Sequence, residues 1–159
     1  MIERARISEA PRILALVNDC ADRGLMLPRS LNEVYESLRD FFVWREGGQL
    51  VGCAALHVSW EGLGEIRSLA VAEKAQGRGI GTALVGSCLA EARQLGMTRV
   101  FVLTYIGPFF ERFGFAPHPK ENLPHKIWTD CLNCPKFPDC DESALILELQ
   151  PQAAEPGPG

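Results

Sequence analysis

The chain has 159 residues, 47% of them hydrophobic and 23% charged, with 16 Lys and Arg against 20 Asp and Glu for a formal charge of −4. That length favours one domain burying roughly 70% of its unfolded surface, and the composition excludes wholesale disorder and a collagen-like fibre. The mild acidity gives no strong pull on nucleic acid or anionic membranes, no apolar run approaches the roughly 20 residues of a membrane span, and Met1-Ile-Glu-Arg-Ala-Arg lacks a secretory h-region, so a cytoplasmic protein is expected.

Ile2 to Ile7 alternates as a short opening strand. Ser8 offers an N-cap to a helix whose inner side is Ile13, Leu14, Leu16, Val17 and Cys20, with Gly24 as the stop. Ser30-Leu-Asn-Glu33 has capping-box spacing, and Leu31, Val34, Tyr35 and Leu38 supply the buried face of a second short helix. Phe41 to Trp44 and Leu50 to Val58 are strand-like runs around a hairpin turn at Glu46-Gly47-Gly48-Gln49. A third run, Glu65 to Val71, follows the turn Glu61-Gly62-Leu63-Gly64.

The period then changes. Ile80, Leu84, Val85, Cys88, Leu89 and Ala92 recur at three and four, ending at Gly96, which predicts a long amphipathic helix. Val100 to Thr104 reads as a buried strand, and Pro108 starts a short helix over Phe109 to Phe113, closed by Gly114. Residues 117–142 are rich in Pro and Cys and irregular, Ala144 to Leu149 resembles a last strand, and residues 151–159 form a Pro/Gly tail expected to be disordered. Antiparallel strands followed by a strand–helix–strand crossover predict one α/β domain over residues 1–150, with a mixed, mostly antiparallel sheet and flanking helices.

Cys20, Cys53 and Cys88 fall inside predicted elements, where a free thiol is a small apolar filler, and no disulfide framework is expected. Cys131-x-x-Cys134-x5-Cys140, with His125 six residues before Cys131, could offer one nitrogen and three sulfurs to zinc. A zinc ribbon shows two paired halves, and only one Cys-x-x-Cys is present, so reduced thiols and no metal are the expectation.

The sharpest feature is Gln76-Gly77-Arg78-Gly79-Ile80-Gly81-Thr82, between a predicted strand and the long helix. Glycines let backbone N–H groups come close to a bound group, and the helix start adds its positive dipole end, so a phosphate or diphosphate is the expected occupant. No Gly-Lys-Ser/Thr follows, and the spacing is not Gly-x-Gly-x-x-Gly with a distant acidic residue, which disfavours a P-loop and a Rossmann site.

Gln76, Gly79 and Gly81 match the Gln/Arg-x-x-Gly-x-Gly/Ala loop of the GCN5-related N-acetyltransferases (GNAT superfamily). Leu69-Ala70-Val71 and Phe109-Phe110-Glu111-Arg112-Phe113-Gly114-Phe115 also resemble that superfamily, the resemblance covering roughly residues 2–149. It implies acetyl-CoA as co-substrate, its diphosphate on the 76–82 loop, its pantetheine arm along the strand edge at Leu69, Ala70 and Val71, and Phe110 and Phe113 beside the cofactor. A homodimer is a further possibility that the superfamily raises.

The narrower resemblance is to amino-acid N-acetyltransferases of the acetylglutamate synthase type, carried by Ile2-Glu3-Arg4-Ala5, Leu27-Pro28-Arg29-Ser30, Gly64-Glu65, Val102-Leu103-Thr104 and Leu123-Pro124-His125-Lys126. The short, kinase-free bacterial members are most similar, including at Asp130 to Glu142. The implied substrate is a small amino acid, with L-glutamate first, and the implied pathway is arginine biosynthesis. Where longer synthases show an Arg-Ser pair, this chain has Tyr105-Ile106-Gly107-Pro108, which keeps glutamine open.

Amine acetylation needs a held cofactor, a proton acceptor and donors for the thioester oxygen. Glu65 is similarly placed to the base of histone acetyltransferases, acting here through a water relay. Phe110 stands where many members have a thiolate-protonating tyrosine, so Tyr105 is the substitute candidate acid. Arg29 and Arg67 are the candidate carboxylate-binding residues, because a guanidinium pairs bidentately with a carboxylate. Acetylation of a protein N-terminus or drug-like amine, and a non-catalytic acyl-CoA-binding regulator, are the competing readings.

Overall fold

The computed structural model describes residues 2–119 and 143–149. In chain order the elements are β1 (Ile2–Arg4), α1 (Ala10–Asp22), α2 (Leu31–Glu36), β2 (Phe41–Glu46), β3 (Gln49–Trp60), β4 (Leu63–Val71), α3 (Ile80–Gln94), β5 (Arg99–Thr104), α4 (Gly107–Glu111), β6 (Ala116–Pro117) and β7 (Ser143–Glu148). The strands make one seven-stranded mixed sheet ordered β1-β2-β3-β4-β5-β7-β6. β4 and β5 run parallel, as a strand–helix–strand crossover requires, while β1–β2, β2–β3, β5–β7 and β6–β7 are antiparallel.

Two compact units divide the chain: Met1–His57 with Ile66–Glu91, and Val58–Glu65 with Ala92–Gly159. In the first, Ile13, Val17 and Cys20 of α1 and Val34 of α2 pack with Phe41, Val43, Cys53, Ala55 and Ala70 from β2, β3 and β4. The capping box before α2 forms as expected, Glu33 N donating to Ser30 Oγ at 3.2 Å and Ser30 N to Glu33 Oε1 at 3.1 Å. The face of α2 is narrower than its sequence suggests: Val34 is buried, but Leu31 and Tyr35 are 39% and 46% exposed.

Ser8 is not the cap of α1. A 3-10 turn, Ile7–Glu9, comes first, and α1 starts at Ala10 with Pro11 in its opening turn, where a missing N–H costs little. Glu9 is buried here and accepts from Arg6 N at 2.8 Å and from Arg45 Nε and Nη2 at 2.6 Å each.

Gly52 sets how closely α3 approaches β3. A Cβ there would stand 2.9 Å from Ile80 Cγ2 and 3.1 Å from Leu84 Cδ1, so glycine is what lets the first turn of α3 lie on the strand. Leu84, Val85 and Cys88 then continue the buried side of α3.

In the second unit Leu63, Phe101, Ala144 and Ile146 form the core, with Leu103 against it. β4 and β5 pair Leu63 with Arg99 and Glu65 with Phe101; β5 and β7 pair from Arg99–Glu148 to Thr104–Ser143. α4 spans Gly107–Glu111, ending earlier than the expected Phe113, and the chain turns over Phe113 N→Phe110 O and Gly114 N→Glu111 O before Gly114 at φ 97°. The short β6 had no alternation in the sequence to announce it.

Candidate active site: a glycine turn and an arginine-lined cleft

The turn before α3 has the conformation its glycines predict. Gly77 and Gly79 have φ of 76° and 81°, and nothing lies within 4 Å of where a Cβ would be on either. Their backbone is therefore open to a large group, and Gln76 to Gly79 are exposed. The 15-residue α3 begins at Ile80, directing its first N–H groups to the same place, which suits a diphosphate. Gln76 Nε2 reaches back to Val71 O at 3.4 Å, tying the turn to the end of β4.

Arg78 is held differently from the other turn residues. Its Nη1 donates to Glu46 Oε2 at 2.9 Å and its Nη2 to Glu46 Oε1, a two-point pair onto the β2–β3 hairpin. Trp44 Nε1 donates to the same carboxylate at 3.1 Å. The guanidinium foremost, with the indole N–H, holds the Glu46 carboxyl below its usual range.

In the same unit a cleft of about 370 Å³ is lined by Arg29, Glu33, Val34, Glu36, Ser37, Asp40, Phe41, Ala55, His57, Arg67 and Ser68. Both arginines singled out for carboxylate recognition thus line one cavity, though 38 positions apart in sequence. Asn18 of α1 fixes the backbone of Arg29 from both sides, accepting from Arg29 N at 3.0 Å and donating to Arg29 O at 3.3 Å. The Arg29 side chain pairs with Glu33, Nη1 to Oε2 at 3.1 Å. Partial burial works against charge on Glu33, yet the Arg29 guanidinium and the Ser30 N–H hold its carboxyl below the ordinary value.

β4 reaches this cleft through a break in its alternation. Ser68 has φ 53°, the left-handed region, among described non-glycine residues the sole case. That twist lets the consecutive residues Arg67 and Ser68 both line the cleft, where a regular strand would send them to opposite faces. Past the twist, Ala70 is buried while Leu69 and Val71 are half-buried.

Sequence reasoning did not single out His57 or Asp40. His57 Nδ1 and Asp40 Oδ2 share a hydrogen bond at 2.8 Å, and both residues line the cleft. Nothing in the spacing of the two marks them as partners; the antiparallel pairing of β2 with β3 brings them together.

The remaining expected residues lie in the second unit. Glu65 is buried, 7% exposed, opposite Phe101 in the β4–β5 register. Tyr105 is half-buried just after β5. Phe110 is 2% exposed and meets Phe109 and Phe115 edge-on, with ring centroids 5.1 and 5.6 Å away, while Phe113 is half-buried. His125, Cys131, Cys134 and Cys140, and the tail at 151–159, lie outside the described residues. Among the described residues no helix is long and apolar enough to cross a membrane.

A family model described as the acetyltransferase (GNAT) family matches residues 13–115. An uncharacterised N-acetyltransferase of Chlorobaculum tepidum is 43% identical over 148 residues, covering 93% of this chain and 96% of the relative. An amino-acid acetyltransferase of Mycobacterium tuberculosis is 44% identical over 119 residues, 73% of this chain and 68% of the relative. Among solved structures, N-acetylglutamate synthase from Neisseria gonorrhoeae, complexed with coenzyme A and N-acetyl-glutamate, superposes with a TM-score of 0.85 at 30% identity. That match covers 94% of this chain and 35% of the longer enzyme.

Proposed function

We propose that this chain, which belongs to the acetyltransferase (GNAT) family, transfers the acetyl group of acetyl-CoA to the α-amine of a small amino acid, with L-glutamate the leading substrate and glutamine next. With glutamate the product is N-acetylglutamate, the first step of arginine biosynthesis. The observation that carries this reading is the cleft lined by both Arg29 and Arg67. Glutamate brings two carboxylates, and two guanidiniums in one cavity are suited to them. Relatives named amino-acid acetyltransferase support the same substrate class.

Acetyl-CoA supplies an activated acyl group as its thioester. The open backbone of Gly77 and Gly79 and the first N–H groups of α3 would hold its diphosphate. Leu69, Ala70 and Val71 are assigned to the pantetheine arm, and a main-chain N–H near Leu69 or Ala70 to the thioester oxygen. The ammonium of the amino acid must lose a proton before it attacks. Glu65, buried on β4, is assigned as the acceptor through a water relay. Tyr105 is assigned to protonate the departing thiolate, because Phe110 has no proton to give and is packed among aromatic rings.

The test is coenzyme A release measured with each of the twenty free amino acids. Glutamate or glutamine is expected to give the highest kcat/KM, and Arg29→Ala to raise the KM for the amino acid. If none of the twenty amino acids gives coenzyme A release while acetyl-CoA still binds, the reading is overturned in favour of a non-catalytic acyl-CoA-binding protein or a different amine acceptor.

A further inference from the structure

The link between α1 and α2 carries Arg29 to the cleft, and its main chain has few ties of its own. Residues 27–30 belong to no helix or strand. Among the described residues, the backbone–backbone hydrogen bonds of this link stop at Leu25 N→Cys20 O and resume at Val34 N→Ser30 O. A segment of that kind opens at low cost unless side chains hold it. Asn18 from α1 and Glu33 from α2 hold it.

The two act on different parts of Arg29. Asn18 grips the main chain, its Oδ1 accepting from Arg29 N at 3.0 Å and its Nδ2 donating to Arg29 O at 3.3 Å. Glu33 meets the side chain, accepting from Nη1 through Oε2 at 3.1 Å, while its Oε1 accepts from Ser30 N in the capping box. A carboxamide accepts on one atom and donates from the next, so it pairs with both polar groups of a single residue as a neighbouring antiparallel strand does. Arg29 N can only donate and Arg29 O only accept, which fixes the orientation of the amide. An aspartate of the same size accepts but has no proton to donate.

We propose that Asn18 is a positioning residue for the amino-acid substrate, fixing the main chain of Arg29 so that its guanidinium is already placed when the substrate carboxylate arrives. The proposal rests on the reading above that Arg29 binds a substrate carboxylate. Asn18 is not among the residues that line the cleft, whereas Arg29 is, so Asn18 acts through Arg29. The ordering of Arg29 is then settled in folding and is not charged against binding. Once the link is released, Arg29 spends part of its time turned away, and apparent affinity falls by that fraction. The loss belongs to the KM of the amino acid, because the glycine turn, β4 and Glu65 are left as they were.

The experiment uses the amino acid that gives the fastest coenzyme A release. It measures kcat, KM and urea unfolding for wild type, Asn18→Ala, Arg29→Ala and the double variant. Asn18→Ala is expected to raise the KM for the amino acid about fivefold, with kcat and the KM for acetyl-CoA within about twofold of wild type. The double variant discriminates. Arg29→Ala keeps the N–H and C=O that Asn18 grips but has no guanidinium to place. The stability lost with the amide is therefore expected in both backgrounds, and the loss of kcat/KM for the amino acid only where Arg29 is present. A merely structural Asn18 lowers kcat/KM by the same factor in both. Asn18→Asp keeps the acceptor for Arg29 N and removes the donor to Arg29 O. It is expected to raise the same KM, again only with Arg29 present, and it serves should Asn18→Ala fold poorly.

Equal losses of kcat/KM in the two backgrounds overturn the proposal. So does an unchanged KM in Asn18→Ala and Asn18→Asp, or a loss that falls on kcat. Arg29→Ala with an unaltered KM also overturns it, since there is then no guanidinium role to position, and leaves the acetyltransferase reading standing with its carboxylate site elsewhere. Binding of acetyl-CoA without release of coenzyme A for any amino acid overturns both.

Discussion

Cys53 on β3 donates its thiol hydrogen to the carbonyl of Ser68 on β4, sulfur to oxygen 3.4 Å, at the residue where β4 twists into the left-handed region. The thiol is fully buried, and burial pushes its pKa far above the ordinary thiol value, so it remains a donor at any working pH. Cys53→Ala leaves the Ser68 carbonyl without this partner and opens a small cavity beneath the twist. A loss of about 1–3 kcal/mol in urea unfolding is expected, together with a raised KM for the amino acid because Arg67 and Ser68 shift. Site-resolved alkylation reads the burial directly. Cys53, and Cys88 with a thiol pushed up to about 12 by burial, should stay unmodified in folded protein and react once it is unfolded.

The approach of α3 to β3 gives a second prediction, linking packing to cofactor affinity. Gly52→Ala brings a Cβ within 2.9 Å of Ile80 Cγ2, a methyl on a stiff β-branched side chain that cannot swing aside. α3 must lift at its first turn. Gly52→Ala is expected to lower stability by about 1–3 kcal/mol, and Gly52→Val by more. Because the glycine turn is anchored to that same first turn, the Kd for acetyl-CoA should rise in parallel, read by calorimetry. A destabilised Gly52→Ala with unchanged Kd shows that the turn is positioned independently of α3.

How far the sequence could be read depends on the range of the forces involved. The crossover was legible because Ile80, Leu84, Val85 and Cys88 repeat with helical spacing, and three glycines in Gly77 to Gly81 leave little but a turn. The Ser30–Glu33 box was legible because both partners are three residues apart. Ser8 misled because its own side chain could cap, whereas Pro11 and the buried Glu9–Arg45 pair decide where α1 begins. The Ser68 twist was not legible, since nothing local favours a left-handed serine; the neighbouring strand stabilises it. His57 and Asp40 were invisible for the same reason. Arg29 and Arg67 were found by resemblance, but their convergence on one cleft needed the folded chain.

Glu9 supplies a prediction on acid stability. Its carboxyl is held below the usual range first by the Arg45 guanidinium and also by the Arg6 N–H, against the opposing effect of burial. A carboxyl with a depressed folded-state pKa stabilises the fold above its unfolded value of about 4.3, and that contribution is lost as pH falls through the folded value. Glu9→Gln is therefore expected to cost about 2 kcal/mol at pH 7, with the gap to wild type narrowing as pH falls below about 4.3 toward the depressed folded value. Arg45→Met leaves the Glu9 charge buried without its main partner and should cost more, about 3 kcal/mol at pH 7. Its deficit should shrink on acidification, as protonation removes the stranded charge. Urea unfolding at pH 7, 5 and 3.5 reads all three proteins; a gap for Glu9→Gln that does not narrow with acid rules out the ion pair as its origin.

The pair between Arg78 and Glu46 joins the glycine turn to the β2–β3 hairpin, and under the proposed function its consequence for affinity has a definite sign. In the proposed reading a diphosphate at the turn would call on the same guanidinium as the Glu46 carboxylate. Glu46 and Arg78 lie at the surface, so the pair is weak and water-screened, and a phosphate with more charge should draw the arginine away from it. Glu46→Gln removes the competitor and should lower the Kd for acetyl-CoA, by less than about fivefold given what exposed pairs are worth. Arg78→Ala should raise the Kd and reduce its dependence on salt concentration. The double variant should match Arg78→Ala alone, because Glu46 can act only through an arginine that is no longer there. Calorimetry on the four proteins at two salt concentrations decides it. Weaker binding in Glu46→Gln gives the pair the opposite role, a brace that sets the turn in its binding shape before the cofactor arrives.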